Sequence, residues 1–452
     1  MKETPDFDFL PLQNSNMPLY MQVYNYYKAL IAKGKLPPAT KLPSIRRCAE
    51  ALSVSRTTAE AAYLQLCADG YVLSRPQSGY YVTDLYVPRP QKPAAAPAKK
   101  PEIRFDFASL SADRESFDFN LWRRYLKSAL RQDERLLSYG EVQGEADLRE
   151  AVAQYITEKR NVVCTPDKIV IGAGVQSLLH ILCAVIGTPC PVAFLGSSFA
   201  QGVAIFRDHG FPVCSSPEDA KIIYTAPSHV NRWGDVMSTS ERIDLLRNTA
   251  EKDVLLIEDD YDNEFNYFSR PAPALQGLDG GRRVIYLGTF SKLLLPSIRL
   301  SYMILPDALL PAYRKIAPLY NQTASKVEQI ALCQFIRDGH LASQIRKVKK
   351  LYTQKALCLE AAVRQVFGED THVYTGETGF VVRFEPATPL RAAELARRAA
   401  EAGVAVKAHN LSNGKTSLLL SCSGVRTADF TAALSVLKKI CESSDKPANL
   451  KN

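Results

Sequence analysis

The stretch GTFSKLLLPSIRLSY, residues 288–302, places one lysine, Lys292, between a polar turn and an apolar run. Thr289 and Ser291 precede this lysine, and Arg299 follows it seven positions later. The apolar run RVIYLG leads into the stretch, so Lys292 is predicted to follow the end of a buried strand. Because burying an amine without a partner is costly, a lysine fixed at this place indicates covalent or charge chemistry.

A second apolar run ends in acidic residues. In VLLIEDDYDNEF, residues 254–265, Asp259 and Asp260 stand directly before Tyr261. Open α/β sheets bind ligands at the carboxyl ends of their strands, so these side chains are expected near Lys292. A pyridoxal phosphate site needs an amine for the aldehyde, a carboxylate for the pyridine nitrogen and a phenol for the ring hydroxyl. The candidates for these roles are Lys292, Asp259 and Tyr261, with Asp260 as an alternative to Asp259.

Several groups could hold the phosphate of such a cofactor. Thr289, Ser291 and Arg299 supply hydroxyls and a guanidinium close to Lys292 in the sequence. The amides of GAGVQS, residues 172–177, offer a second phosphate contact, because Val175 and Gln176 open a predicted helix after a strand. This loop alone is weak evidence for a phosphate site.

The body of the chain, residues 104–452, alternates strand and helix patterns. Apolar runs that are buried on both faces predict a parallel or mixed sheet covered by helices. The predicted strands are KIVIGAG, PVAFLG, KIIYTAP, VLLIEDDY, RVIYLGTFS and LSYMIL. We expect a large domain at about 150–335 and, after a long charged helix pattern, a smaller α+β domain at about 336–445.

Residues 14–83 predict a separate module of three helices and a hairpin. Ser55 is expected to cap the third helix, whose apolar stripe is Ala59, Ala62, Tyr63, Leu66 and Cys67. Two short helices joined by a tight turn and followed by a wing form a winged helix-turn-helix, which can place its second helix in a major groove.

The DNA-binding candidates of this module lie at its second helix and its wing. Arg56 could contact guanine through two hydrogen bonds, and Thr57 and Thr58 could bind phosphate or base edges. We further expect Ser55 and Arg46 near the DNA at the helices, and Arg75 and Gly79 on the wing.

Charge and composition narrow the class of protein. The net charge is +9, and residues 1–101 hold 13 Lys and Arg against 7 Asp and Glu, which indicates a polyanionic partner for this end. Residues 84–103, rich in Pro, Ala and Lys, predict a linker. Scattered cysteines without metal-ligand spacing favour neither a metal site nor disulfides, and no apolar run is long enough for a membrane span. A cytoplasmic protein is expected.

Two resemblances follow from these motifs. Residues 18–82, from PLYMQVYNYY to SGYYV, resemble the DNA-binding domain of GntR-family regulators. SYGEVQGEADLREAVAQYI, IGAGVQSLLH, YTAPSHVNRWGDVMS, IEDDYDNEF and GTFSKLLLPSIRLSY resemble the type I aminotransferase fold, in the form found in MocR-type regulators. The expected fold class is therefore α/β multidomain, with a winged helix-turn-helix joined to a pyridoxal phosphate-dependent aminotransferase-like domain.

The resemblance implies specific roles. Lys292 would carry pyridoxal phosphate beside Asp259 and Tyr261, Phe199 would stack on its ring, and Ser291 and Arg299 would hold its phosphate. It also implies a homodimer that binds double-stranded DNA and a small-molecule effector. A regulator is favoured over a genuine aminotransferase with a DNA-binding appendage, and over a regulator with a cofactor-free body.

The sequence departs from the family at the substrate carboxylate. Leu419 stands where aminotransferases usually place an arginine, and Gln201 stands near a second such position. Neither side chain can grip a carboxylate as a guanidinium does. Either Lys415, Arg426 or Arg232 takes this role, or the effector is not an ordinary amino acid, in which case pyridoxal phosphate itself is a candidate.

Overall fold

A computed structural model of the chain describes residues 17–84, 101–109, 111–196, 199–231, 233–261, 264, 272–376 and 381–443. The chain divides into two compact units, residues 1–99 and 100–452. Most of the expected linker, residues 85–100, lies outside the described residues.

The N-terminal unit contains three helices and a hairpin, in the order that the sequence predicts. They are α1 (Leu19–Ala32), α2 (Ile45–Ala51), α3 (Arg56–Ala68), β1 (Val72–Arg75) and β2 (Gly79–Val82). Ser44 and Ser55 cap α2 and α3, since their side chains accept hydrogen bonds from the backbone amides of Arg47 and Thr58. Gly70 follows α3 with a φ of 76°, a left-handed conformation that glycine adopts without steric cost.

The core of this unit lies along one face of α3. The fully buried residues of the predicted stripe are Ala59, Ala62, Tyr63 and Leu66, whereas Cys67 is partly buried. The ring of Tyr63 meets that of Tyr27 from α1 edge to face, with 5.5 Å between the centroids. This packing leaves Arg56 and Thr57, in the first turn of α3, exposed.

Residues 100–452 form an α/β unit. Its helices are α4 (Phe119–Leu130), α5 (Asp133–Leu136), α6 (Ala146–Arg160), α7 (Val175–Ile186), α8 (Ala200–Asp208), α9 (Thr239–Glu251), α10 (Leu275–Leu278), α11 (Leu310–Ile316), α12 (Lys326–Arg337), α13 (His340–Phe367), α14 (Ala392–Glu401) and α15 (Phe430–Glu442). Its strands are β3 (Phe105–Asp106), β4 (Ile169–Gly172), β5 (Val192–Leu195), β6 (Val213–Cys214), β7 (Ile222–Thr225), β8 (Leu255–Asp259), β9 (Val284–Thr289), β10 (Ser301–Ile304), β11 (Val373–Thr375), β12 (Val381–Phe384), β13 (Val404–Ala405), β14 (Lys407–Asn410) and β15 (Thr416–Ser421). Among the described helices, none combines the length and the apolar character that crossing a membrane requires.

The large sheet has the strand order β4-β10-β9-β8-β7-β5-β6. Strand β10 runs antiparallel to β4 and β9, and the other neighbours are parallel. The six predicted apolar runs form β4, β5, β7, β8, β9 and β10, whereas the two-residue strand β6 is too short to leave a pattern. Because β7, β8 and β9 are parallel neighbours, the residues that follow them meet at one edge of the sheet.

A smaller antiparallel sheet has the order β11-β12-β15-β14. The long charged helix that the sequence predicts is α13, which packs against this sheet and against α15. Strand β3 pairs in parallel with β13, so the first described residues of this unit join the chain near its C-terminal part. A buried ion pair between Lys355 and Asp113, 2.8 Å long, fixes the same segment to α13.

Candidate functional site

Lys292 and Tyr261 come together at the carboxyl edge of the large sheet. Strand β9 ends at Thr289, the buried Phe290 anchors the turn that follows, and Lys292 lies in that turn. Tyr261 follows the neighbouring strand β8. The Nζ of Lys292 lies 4.4 Å from the centroid of the Tyr261 ring. The two residues that the sequence places at separate strand ends are therefore in contact.

Asp259 is buried at the end of β8 and is held by a tyrosine of the next strand. The hydroxyl of Tyr224, in β7, donates a hydrogen bond to Oδ2 of Asp259 over 2.5 Å. Burial and the charge of Asp259 raise the pKa of Tyr224 well above its usual value, so the phenol stays a donor. Sequence reasoning missed Tyr224, because nothing in the run KIIYTAP distinguishes its tyrosine from a core residue.

Phe199 belongs to the same group of side chains. Its ring stacks on Tyr224, with 5.7 Å between centroids and an interplanar angle of 29°. Residue 202 must be small here, since a Cβ on Gly202 would lie 2.5 Å from the Phe199 ring. Phe199 thus lies one side chain away from Asp259.

Asp260 forms its hydrogen bonds on the side of the strand end that is opposite to Asp259. Its carboxylate accepts hydrogen bonds from Arg160 at 2.7 Å, from Tyr286 at 2.7 Å and from Ser228 at 2.9 Å. Successive residues of a strand face opposite ways, which separates Asp259 from Asp260. These three partners leave Asp259 as the carboxylate on the side of Phe199 and Tyr224.

One candidate phosphate group, Arg299, lies at the start of α7. A Cβ on Gly174, whose φ is 94°, would lie 2.3 Å from Nη2 of Arg299, so the guanidinium packs directly on this glycine. The hydroxyl of Ser291 is buried and has no hydrogen-bond partner among the described residues. Of the helix-opening residues, Val175 is half-buried against the core and Gln176 is exposed.

Thr289 has a different environment from Ser291. Its hydroxyl accepts hydrogen bonds from the Ser291 amide at 3.2 Å and from the Ser301 hydroxyl at 2.9 Å. Thr289 therefore shapes the turn that carries Ser291 and Lys292.

The residues considered for the substrate carboxylate differ in their exposure and in their partners. Leu419 is buried in β15, whereas Lys415 is exposed, with its Nζ 4.0 Å from Glu385. Arg426 is 84% exposed and pairs with Asp429, so it is occupied at the surface. Gln201 is exposed on α8, and Arg232 lies outside the described residues.

The DNA-binding candidates of the N-terminal unit cluster at the start of α3. The Ser55 hydroxyl lies 2.8 Å from that of Thr57 and 2.7 Å from that of Thr58, and Arg56 is exposed beside them. Arg46, on α2, is exposed and forms an i,i+4 pair with Glu50.

The hairpin carries the remaining DNA-binding candidates. The guanidinium of Arg75 lies 4.7 Å from the centroid of the Tyr81 ring, and Gly79 follows the turn with a φ of 106°. Lys41, which sequence reasoning missed, forms an isolated bridge with Tyr81 and adds a cation to this hairpin. Its signal was absent because the pairing joins residues 40 positions apart.

Comparison with known proteins assigns the two units. Residues 19–82 match the family described as bacterial regulatory proteins, gntR family, and residues 110–437 match aminotransferase class I and II. The chain is 30% identical over 414 residues to the probable rhizopine catabolism regulatory protein MocR of Rhizobium meliloti, covering 82% of this chain and 83% of that protein. The chain belongs to the MocR-type branch of the GntR family. The resemblance and the fold class that the sequence predicts are thereby confirmed.

Other comparisons agree with membership of the MocR-type family. The chain is 35% identical over 457 residues to the uncharacterized HTH-type transcriptional regulator YdeL of Bacillus subtilis, covering 95% of this chain and 99% of that protein. An archaeal alanine:glyoxylate aminotransferase has a TM-score of 0.67 at 21% identity, covering 77% and 92% of the two chains. LysN, an alpha-aminoadipate aminotransferase of Thermus thermophilus complexed with N-(5'-phosphopyridoxyl)-L-leucine, has a TM-score of 0.63 at 23% identity, covering 75% and 92%.

These comparisons separate fold from function. The solved structures show that residues 100–452 have the aminotransferase fold, and the similar full-length proteins are named as transcriptional regulators. This MocR-type chain is a transcriptional regulator with an aminotransferase-like domain.

Proposed function

We propose that the aminotransferase-like unit binds pyridoxal phosphate and uses it to sense a small amino compound, or senses pyridoxal phosphate itself, and that it thereby controls DNA binding by the N-terminal unit. The observation that carries this proposal is the contact of Lys292 with Tyr261 at the sheet edge where Asp259 ends the neighbouring strand. Pyridoxal phosphate would supply an electrophilic aldehyde and an electron-poor ring at this edge.

The residues present fit this cofactor. The buried hydroxyl of Ser291 lacks a partner among the described residues, and the Arg299 guanidinium stands over Gly174 at the start of α7. A hydroxyl, a guanidinium and a helix N-terminus are groups that bind phosphate. Lys292 would hold the aldehyde end covalently, and Asp259, fixed by Tyr224, would pair with the pyridine nitrogen.

Side chains near the ring would position it. Phe199, held against Tyr224 by stacking, would cover one face of the cofactor. The phenol of Tyr261, 4.4 Å from Lys292 when measured from its ring centre, would donate to the ring hydroxyl. The side chains of this cluster thus supply a support for each part of the cofactor.

We propose that the aminotransferase-like unit does not catalyse amino-group transfer efficiently. Leu419 cannot bind a substrate carboxylate as arginine does, and the similar full-length proteins are named as regulators. We therefore propose that the unit acts as a sensor in the cytoplasm and that none of its residues is catalytic. The side chains around Lys292 are compatible with a slow half-reaction. An effector shifts DNA affinity only if it binds two conformations unequally.

We further propose a homodimer. Tyr139 is 97% exposed and Leu137 is 89% exposed in the loop after α5, and Leu319 is 80% exposed near α12. The Nζ of Lys326 ties the first loop to α12 through the carbonyls of Arg135 and Ser138. A contiguous apolar patch marks an association surface, and we propose that these side chains contribute to one.

This surface adjoins the candidate phosphate site. Thr323, two residues before the N-cap of α12, accepts a hydrogen bond from the amide of Ala173, next to Gly174. A second copy covering the surface would therefore border the cofactor. A symmetric dimer would also present two DNA-binding units to a two-fold operator.

The experiment that tests the proposed function links cofactor and DNA in one assay. DNA fragments that the full-length protein retains from a random pool are sequenced, and affinity is then measured with and without pyridoxal phosphate and amino compounds. We expect the Lys292→Ala variant to bind DNA with an affinity that these compounds no longer change. Lys252→Ala, at an exposed position after α9, serves as the matched control and should respond as the wild type does. An unchanged response in Lys292→Ala contradicts the proposal.

A further inference from the structure

We infer that Arg383 binds a carboxylate of the effector, which makes the effector an amino compound with a second, acidic end. This inference rests on the proposed function, because it concerns the same ligand. Arg383 lies in β12 of the small sheet, and sequence reasoning did not single it out.

Arg383 stands in a row of side chains that crosses the small sheet. The register pairs Arg383 with Tyr374 on one side and with Leu419 on the other, and Leu419 in turn with Lys407. Directly paired residues of a sheet point to the same face. The guanidinium thus comes from the strand beside Leu419, on the face that Leu419 shares.

Two aromatic rings hold the guanidinium of Arg383 in place. Its central carbon lies 4.8 Å from the Trp233 ring and 5.5 Å from the Tyr374 ring. Aromatic rings attract a cation through their faces and leave its N–H edges free for other partners. The buried Nε of Arg383 has no hydrogen-bond partner among the described residues.

The ion pair between Arg383 and Glu385 is long. Glu385 lies 3.7 Å from Nη2 of Arg383, beyond hydrogen-bond length. Glu385 is also shared with Lys415, at 4.0 Å. Lys407 is exposed on the same face, so Arg383, Lys407 and Lys415 stand against the carboxylates of Glu385 and Asp235, and this face keeps an excess of one positive charge.

One loop, which contains His229 and Trp233, contacts both Arg383 and Tyr261, the neighbour of Lys292. The ring of His229 lies 5.5 Å from that of Tyr261, and Trp233 follows His229 by four positions. The loop is closed on itself, because the Val230 amide donates to the Asp235 carbonyl at 2.8 Å. His229 therefore lies beside Tyr261, the neighbour of Lys292, and Trp233, at the tip of the loop, contacts Arg383.

Two further contacts fix the tip of this loop against the small sheet. Trp233 meets His409 of β14 edge to face at 5.7 Å. The hydroxyl of Tyr374 donates to the carboxylate of Asp235. A ligand whose amino group reaches Lys292 and whose carboxylate reaches Arg383 would hold the loop and the small sheet together.

The test uses the full-length protein loaded with pyridoxal phosphate and matched ligand pairs. The pairs are L-alanine with ethylamine and 5-aminopentanoate with butylamine, and each is titrated against the visible spectrum of the cofactor. We expect at least one acid to act at a concentration about tenfold or more below its amine, as a charge-assisted hydrogen-bond pair predicts. Arg383→Met should remove this preference, and Arg383→Lys should keep part of it.

A readout that needs no cofactor separates the two proposals. Glutarate, which lacks an amine, should raise the melting temperature of wild-type protein and of Arg426→Met, but not that of Arg383→Met. If glutarate acts in this way while no amine changes the spectrum, the sensing of amino compounds fails and the Arg383 assignment stands. If Arg383→Met keeps both the acid preference and the glutarate effect, or if Arg383→Lys folds stably and binds acids and amines alike, Arg383 only positions Trp233 and the inference is overturned.

Discussion

The guanidinium of Arg160 and the carboxylate of Asp260 form a buried ion pair with 2.7 Å between Nε and Oδ2. The pair lies behind the strand end that carries Asp259, and it receives further hydrogen bonds from Tyr286 and Ser228. Two adjacent carboxylates thus have different tasks. Asp260 anchors the sheet edge, and Asp259 lies on the side of Tyr224 and Phe199, where we propose that the cofactor binds.

Loss of Arg160 should destabilise the unit formed by residues 100–452. Arg160→Met leaves the buried Asp260 without its cation, so we expect the free energy of unfolding to fall by about 3–5 kcal/mol. Urea unfolding followed by circular dichroism measures this change. Arg426→Met, which removes an exposed arginine, is the control and should unfold as the wild type does. Equal midpoints for the two variants would contradict the anchoring role.

Asp259→Asn should weaken cofactor binding with little effect on folding. The amide cannot pair as an anion with a protonated pyridine nitrogen, so we expect the affinity for pyridoxal phosphate to fall about tenfold or more. Equilibrium dialysis measures the affinity, and Asp260→Asn provides the contrast because it should mainly lower stability. If Asp260→Asn loses the cofactor while Asp259→Asn keeps it, the two roles are reversed.

The affinity for pyridoxal phosphate should not change through ionisation of Tyr224 in the pH range where an ordinary tyrosine titrates. Burial, and then the charge of Asp259, raises the pKa of this phenol well above its ordinary value near 10. Because the protonated form is the one that donates to Asp259, the hydrogen bond persists through the ordinary range of tyrosine. Affinity measured from pH 8 to about 10.5 in wild type and in Tyr224→Phe should therefore differ by a constant factor. A difference that disappears as the pH passes 10 would show that Tyr224 ionises.

Gly174→Ala should displace Arg299 from the candidate phosphate site. The added Cβ would lie 2.3 Å from Nη2 of Arg299, and the φ of 94° adds backbone strain. Gly339→Ala is a matched control, because its φ is 76° and no atom lies within 4 Å of the added Cβ. We expect a weaker affinity for pyridoxal phosphate in Gly174→Ala alone, measured by dialysis. Equal affinities in the two variants would remove Arg299 from the site.

Arg56→Ala should change both the affinity and the specificity of DNA binding. A guanidinium that contacts guanine through two hydrogen bonds contributes about 1–3 kcal/mol of discrimination, whereas a phosphate contact weakens all sequences alike. Arg46→Ala is therefore the control, and it should lower the salt dependence without relaxing specificity. Binding to a library of variant sites measures both effects. Retention of wild-type specificity in Arg56→Ala would exclude it as a base contact.

Local sequence patterns predicted the parts of this structure that depend on neighbours in the chain. The hydrophobic pattern and the length of the apolar runs predicted six strands of the large sheet, and Ser55 was predicted as the N-cap of α3. The position of Lys292 after one strand and Tyr261 after another was also predictable, because parallel strands end at the same edge.

Pairings between distant segments were not predictable in this way. The Tyr224–Asp259 hydrogen bond joins residues 35 positions apart, and the row from Tyr374 through Arg383 to Leu419 depends on sheet register. Lys415 and Arg426, singled out from the sequence, stand near Leu419 in the chain, whereas Arg383 reaches the face of Leu419 from the adjacent strand. Register and side-chain direction, which composition does not encode, decide which cation faces the ligand.

The most direct measurement of the central claim is the mass of the peptide that contains Lys292. The full-length protein is incubated with pyridoxal phosphate, reduced with borohydride and digested, and the modified peptide is identified by mass spectrometry. We predict one dominant site, on Lys292, which disappears in Lys292→Ala and persists in Lys252→Ala. Modification spread over several surface lysines, with the Lys292 peptide unmodified, would contradict the account.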